Sequence, residues 1–172
     1  MKIERHPDAT LFRFEPGERE ILVSSLLELR KHYQTDLSQM SEAMQSHWRG
    51  VLTRGEGSEE EGEIAGAAEE LEAERLSWRP ERVTLLNQWL APESPLQNAS
   101  QPSLRLSRGE VDEFLAMLND RRLTLAVAQG ITDEQMEWNP LTVKARDLQR
   151  ALWEIHFLAY LQEGCVSAFL EE

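Results

Sequence analysis

Four consecutive polar residues in the second half of the sequence have the chemistry to bind a small anion: Asn119, Asp120, Arg121 and Arg122. They interrupt an apolar stretch, so they cannot all face water if the turns on either side are buried. An arginine binds phosphate or carboxylate through two parallel N–H groups, and an adjacent aspartate can orient it. One hypothesis is therefore an anion or substrate site that also uses His156. The simpler hypothesis is an internal Asp–Arg ion pair, the usual role of partly buried charges.

The spacing of the histidines and of the single cysteine does not favour a metal site or a catalytic nucleophile. Glu28 and His32 lie four residues apart, hence on one helical face, but no second pair of this kind completes a two-metal site. Cys165 has no base placed beside it by spacing and is expected to be buried and inert. The common phosphate-loop, esterase and zinc-protease motifs are missing. The sequence therefore predicts no metal and no cofactor, and it leans away from an enzyme.

Two tryptophans and an acidic segment are the candidates for binding a protein partner. Trp78 and Trp89 lie in the least regular part of the sequence, where they are expected to stand partly exposed. Exposed tryptophans favour interfaces because a large rigid side chain binds at a low cost in entropy. Residues 56–74 hold nine glutamates and no lysine or arginine, so they could attract a basic partner. The simpler interpretation of that segment is a solvated surface.

Composition places the chain among cytoplasmic proteins that bind neither membranes nor nucleic acids. It has 172 residues and a net charge of −13, which disfavours binding to phosphate-rich surfaces. No run approaches the roughly 18 apolar residues of a membrane span, and the N-terminus lacks the apolar run of a signal peptide. A single cysteine excludes an intramolecular disulfide. A chain of this length can bury one sizeable core, so we expect one domain over residues 1–172.

Patterning predicts an all-α fold, or a mainly α fold with a small N-terminal β-hairpin, arranged as an orthogonal or bundle-like single domain. Residues 1–14 are expected to form the hairpin, because Pro7 and Asp8 supply turn chemistry between two short apolar runs. Residues 16–90 carry apolar side chains at helical spacing and include the acidic segment. Residues 91–103 contain three prolines among polar side chains and are expected to be a loop.

The last segment, residues 104–172, is expected to form two long core helices. Ser107 and Glu110 have the spacing of a capping box at the start of the first helix, and Gly130 is placed to end it in a left-handed conformation. The second helix follows Pro140. Its middle, around Trp153 and Tyr160, is apolar nearly all round, which predicts that protein surrounds it on every side.

Two stretches of this segment resemble an uncharacterised bacterial family. Residues 119–125, followed by Gly130 and Ile131, resemble the stretch N-D-x-R-L-x-L and then G-I or G-V of the family catalogued as domain of unknown function number two thousand and seventeen. Residues 158–163 with Val166 are similar to its W/Y-L-Q-E-x-L-V ending, and the early Glu18 fits its first helix. The resemblance implies an all-helical fold with no assigned activity. In many actinobacteria the family's genes neighbour an adaptor of the Clp protease, which hints at a role in proteostasis.

These features together favour a non-catalytic protein-interaction or regulatory module that acts as a monomer or a homodimer. Its expected partner is a protein, bound through the acidic segment and the tryptophans near it. The alternative is a small enzyme or anionic-ligand-binding protein that uses residues 119–122 with His156. The first hypothesis predicts a shallow surface with exposed aromatic rings. The second predicts that the polar side chains converge on one cavity open to solvent.

Overall fold

A computed structural model describes residues 1–53 and 76–170 of the chain, with side chains over 1–48 and 76–168. The acidic segment 56–74 lies outside the described residues, and so do the expectations made for it. The described helices are α1 (Pro16–Gln34), α2 (Glu42–Thr53), α3 (Arg79–Trp89), α4 (Arg108–Gln129), the single turn α5 (Asp133–Met136) and α6 (Arg146–Leu170). None of them is long and apolar enough to cross a membrane. The expectation of a mainly helical fold with a small N-terminal hairpin is confirmed.

The N-terminal hairpin is part of a three-stranded antiparallel sheet. Its strands are β1 (Lys2–Arg5), β2 (Thr10–Arg13) and β3 (Ser103–Leu106), in the order β1-β2-β3. The third strand corrects the expectation for residues 104–172, because this segment begins with a strand before its first helix. Leu104 and Leu106 alternate with exposed Arg105, which is the period of a strand with one buried face. Leu104 pairs with Phe12 of β2, so the hairpin gains the third strand it needs for stability.

The ends of α4 follow from local sequence, as expected. The Ser107 side chain accepts from the backbone N–H of Glu110, and the Glu110 carboxylate accepts from the N–H of Ser107. Gly130 ends the helix at a φ of 62°, a left-handed conformation that costs glycine little. The N–H of Ile131 then donates to the carbonyl of Ala126, which closes the last turn.

Two apolar clusters hold the helices together, and α6 contributes to both. Its first half packs Leu152 and Ile155 against the C-terminal end of α4. Its second half packs Leu158, Leu161 and Cys165 into the main core, with the sheet and the other long helices. Helices α4 and α6 run antiparallel, because Arg121 bonds Glu154 while Gln162 bonds the carbonyl of Leu115 near the other end. The extent of the domain, residues 1–172, stays a prediction.

The expectation that protein surrounds α6 on every side is wrong. Trp153 is 49% exposed and Tyr160 is 47% exposed, and both lie on one face of the helix. The helix begins at Arg146, so Leu141 stands in a separate turn of 3-10 helix and is strongly exposed. The cause is geometric: α6 already fills both clusters with its opposite face, and the neighbouring parts of the chain cover this one only in part.

Candidate functional site

The four polar residues of the central α4 block point in different directions and do not form one site. Asn119 is exposed, Asp120 bonds to α1 and α3, and the two arginines bond to different residues of α6. This divergence follows from helix geometry, which turns successive side chains by about 100°. The arrangement contains the internal Asp–Arg ion pair of the simpler hypothesis, but the arginine comes from α3 rather than from the block itself.

Asp120 is bound by Tyr33 of α1 and Arg82 of α3. The Tyr33 hydroxyl donates to Oδ2 of Asp120 at 2.6 Å, and a terminal N–H of Arg82 donates to the same oxygen at 2.8 Å. Nε of Arg82 donates to Glu113 at 2.7 Å, and its guanidinium lies 4.1 Å from the centre of the Trp78 ring. These contacts tie α1 and α3 to α4.

The charges of this cluster titrate abnormally because they lie away from water. Burial raises the pKa of Asp120, although the bonds from Tyr33 and Arg82 act in the opposite direction. Burial also raises the pKa of Tyr33, and the adjacent Asp120 carboxylate adds to that effect. Burial disfavours the charge of Arg82, yet the acceptors around it, Glu113 first, hold its pKa above the ordinary value. The cluster is therefore a set of mutually satisfied groups.

Arg121 and Arg122 both bond to α6. Nε of Arg121 donates to Oε1 of Glu154 at 2.6 Å, and the Ser25 hydroxyl of α1 lies 2.8 Å from the same oxygen. The Arg121 side chain is only 9% exposed, so Glu154 is the counter-charge that makes its burial tolerable. Arg122 donates to the amide oxygen of Gln162 at 2.7 Å. The three long helices are thus joined by polar contacts as well as by the core.

The histidines of the sequence hypotheses lie apart from these groups. Nε2 of His156 is 2.8 Å from the carbonyl of Met136, so the ring fastens α5 to α6 and does not join Asp120. His32 and Glu28 line a separate depression between α1 and α2. Burial there lowers the pKa of His32, and the positive charge of Arg121 adds to the effect. Across residues 1–53 and 76–170, no three His, Cys, Asp or Glu side chains come together as metal ligands.

The structure corrects the expected partial exposure of Trp89 but not that of Trp78. Trp89 is 5% exposed and packs edge-on against Phe114, with ring centres 5.8 Å apart. Trp78 is half-buried against Tyr33 and Arg82. The exposed tryptophans are instead Trp138 and Trp153. The apolar pattern alone does not identify Trp153, because apolar side chains occur on nearly every side of the middle of α6.

Trp153 lies in a cleft between α1 and the N-terminal half of α6. The cleft has a volume of about 400 Å³ and is lined by Glu20, Ile21, Ser24, Arg146, Gln149, Arg150, Trp153 and Glu154. Exposed Ile21 and Trp153 supply its apolar surface. Arg146 and Arg150 are exposed, one turn apart, and neither makes an ion pair or hydrogen bond with any residue that the structure describes.

This cleft has the chemistry of a binding surface. Its apolar surface comes from Trp153 and Ile21, and charged side chains lie at its edges. Glu154 is already committed to Arg121 and Ser25. Besides Glu20, Ser24 and Gln149, the lining offers the Trp153 ring, the Ile21 side chain and two guanidinium groups. The ring and the aliphatic side chain can hold an apolar side chain, and the guanidinium groups can hold carboxylates. No residue of this cleft belongs to the sequence-predicted site, and the regular spacing of Arg146, Arg150 and Trp153 is the signal that would have found it.

Comparison with known proteins supports the family resemblance and adds no activity. No curated protein and no solved structure matches the chain significantly. The model of one family, described as Domain of unknown function (DUF2017), matches residues 1–169. The match runs through the sheet, the helices that carry the polar cluster and both walls of the cleft. This chain therefore belongs to the DUF2017 family.

Proposed function

We propose that this protein is a non-catalytic interaction module of a regulatory kind, and that the cleft between α1 and α6 is where it binds a partner protein. One observation carries the proposal: Trp153 stands 49% exposed in a concave site, beside exposed Ile21. Single exposed apolar side chains are common on protein surfaces. An aromatic and an aliphatic side chain grouped in a cleft with a polar rim is instead the usual composition of an interface.

The alternative function, anion binding or catalysis at residues 119–122 with His156, receives less support. Asp120, Arg121 and Arg122 each hold a protein group that a ligand would have to displace. His156 bonds the backbone carbonyl of Met136 and none of these three residues. Breaking such a buried charge pair costs about 3–5 kcal/mol, which a small ligand would need to recover before it gained any affinity. A structural role for these groups explains the same contacts without a ligand.

The acidic segment 56–74 remains a candidate for binding a basic partner through charge alone. We prefer the cleft because it combines shape, apolar surface and charge. A cytoplasmic location is part of the proposal, supported by a single cysteine that is buried. The proposal also includes a link to proteostasis, which the family resemblance suggests. It includes a monomeric or homodimeric state, which the sequence suggests.

Photo-crosslinking in the source cell tests the proposed function. A photoreactive residue at Ser24, in the cleft, is compared with one at Asp112, on an exposed part of α4. The proposal expects a discrete adduct with a second protein from position 24 and a much weaker one from position 112. Equal background labelling from both positions, with full expression and folding of the protein, would refute the proposal.

A further inference from the structure

We infer that the cleft between α1 and α6 binds a short acidic amphipathic segment of a partner protein. The segment would place one apolar side chain against Trp153 and Ile21, and carboxylates against Arg146 and Arg150. This inference rests on the proposed function and adds the chemistry of the partner. The cleft would be an interaction surface with a defined occupant, and the polar cluster at Asp120 would take no part in binding.

Charge complementarity is the first argument. The chain carries a net charge of −13, yet the mouth of this cleft presents two guanidinium groups without partners among the described residues. Of the two carboxylates in the lining, Glu154 is neutralised by Arg121. Glu20 alone remains to offset Arg146 and Arg150. A locally positive cleft on a strongly acidic protein selects an acidic segment and repels a basic one.

The position of Arg146 on its helix is the second argument. Arg146 is the first residue of α6, where the positive end of the helix dipole disfavours a cation. Asp147, in the same first turn, offsets the helix dipole but forms no ion pair with Arg146. Neither guanidinium group is held by an ion pair or hydrogen bond to a described residue, so both can bind a carboxylate of a partner. A carboxylate placed against Arg146 would interact favourably with the guanidinium and with the helix end together.

The spacing of three side chains along α6 determines which shape of partner segment fits the cleft. Arg146, Arg150 and Trp153 are separated by four and then three residues, so they form one row on the helix. A helical segment with acidic side chains one turn apart, and an apolar side chain on the next turn, matches that row. The cleft volume of about 400 Å³ is near the small end of ligand sites, which suits one inserted side chain.

Other occupants fit less well. A nucleic acid meets strong repulsion from the net charge of −13. A second copy of the chain carries the same charge and would meet the same repulsion at low salt. Binding of a second copy remains measurable as an outcome, because it depends on the protein concentration.

The test measures binding of fluorescein-labelled peptides of about 15 residues to the full chain by anisotropy. One peptide carries glutamates one turn apart and a leucine on the next turn, matching the row on α6. A second replaces the glutamates by lysines, and a third replaces the leucine by serine. The protein variants are Arg146→Glu with Arg150→Glu, and Trp153→Ala. All three positions are exposed, so the variants are expected to fold.

Matched controls distinguish binding at a specific site from a general effect of net charge or of exposed apolar surface. Arg105→Glu with Arg108→Glu makes the same change in net charge, and Arg108 also begins a helix, at the far end of the α4–α6 pair from Arg146. Trp138→Ala removes another exposed tryptophan that lies in a different depression. Neither control touches the cleft between α1 and α6.

The inference expects the acidic peptide to bind best. Reversal of the two cleft arginines should weaken binding roughly tenfold at low salt and less at high salt. Trp153→Ala should weaken it by about tenfold or more, while both controls stay near wild type. Four results would each overturn the inference. The lysine peptide could bind best, no peptide could bind, or the cleft and control variants could lose affinity equally. The protein could also form concentration-dependent dimers that Trp153→Ala abolishes. The photo-crosslink from position 24 would survive those results if the cleft binds a partner of another chemistry.

Discussion

Replacing Glu154 by glutamine tests whether the polar groups of the long helices are structural. Oε1 of Glu154 accepts from Arg121 at 2.6 Å and lies 2.8 Å from the Ser25 hydroxyl, so one carboxylate joins α1, α4 and α6. Glutamine keeps an oxygen acceptor of nearly the same shape and removes the charge. The perturbation therefore leaves Arg121, whose side chain is 9% exposed, without its counter-charge.

The expected loss follows from that burial. Removing one partner of a buried ion pair costs about 3–5 kcal/mol. Glutamine can still accept a hydrogen bond, and the Glu154 side chain is partly reached by water, so we expect about 2–3 kcal/mol here. For a domain of this size that loss lowers Tm by roughly 5–10 °C. Glu163→Gln is the matched control, because Glu163 is exposed on the same helix and should change stability by about 0.5 kcal/mol or less.

Urea unfolding followed by circular dichroism provides the assay, with a double-mutant cycle beside it. Arg121→Met and Glu154→Leu together remove both charges, so the double variant should be less destabilised than the sum of the two single variants. A Glu154→Gln variant as stable as the Glu163→Gln control, with additive effects in the cycle, would refute the reasoning. The Arg121–Glu154 pair would then contribute little to stability, and the alternative function would be better supported.

Three further predictions concern single side chains. Gly130→Ala should cost about 1 kcal/mol because of the left-handed φ of 62°, whereas Gly109→Ala, where an added Cβ meets nothing, should be neutral or slightly stabilising in the same urea assay. Burial raises the pKa of Cys165 to about 12, so its reaction with iodoacetamide at neutral pH should become fast only in denaturant, and fast labelling of the native protein would contradict its burial. Because burial lowers the pKa of His32, the unfolded state binds a proton more readily, so stability should fall as pH drops below about 6.5. His32→Gln should reduce that slope, and an unchanged slope would show that other groups cause it.

Local signals explain which parts of the fold the sequence predicts. The capping box of Ser107 and Glu110 and the left-handed Gly130 are decided within a few residues, and both appear where the sequence places them. Strand β3 is not predictable in this way, because Leu104 and Leu106 become a strand only by pairing with β2, which is distant in sequence. Short isolated runs of this kind depend on tertiary context.

The candidate site was harder to predict than the fold, for two physical reasons. The partner of Asp120 is Arg82, on a different helix, so an ion pair could be expected but its members could not be named. Apolar side chains lie on nearly every side of the middle of α6, so the sequence predicts that Trp153 is buried, whereas it is exposed. Arg146 and Arg150, one turn apart before that tryptophan, are the sequence feature that points to the cleft once its position is known.

Backbone amide shifts of the isotope-labelled protein during titration with the acidic peptide test the central claim most directly. The account predicts that the perturbed amides cluster on α1 around Ile21 and on α6 from Arg146 to Glu154, with the region around Asp120 unchanged. Perturbations centred on Asp120 and Arg122, or spread evenly over the surface, would contradict the claim that this cleft is the binding surface of the protein.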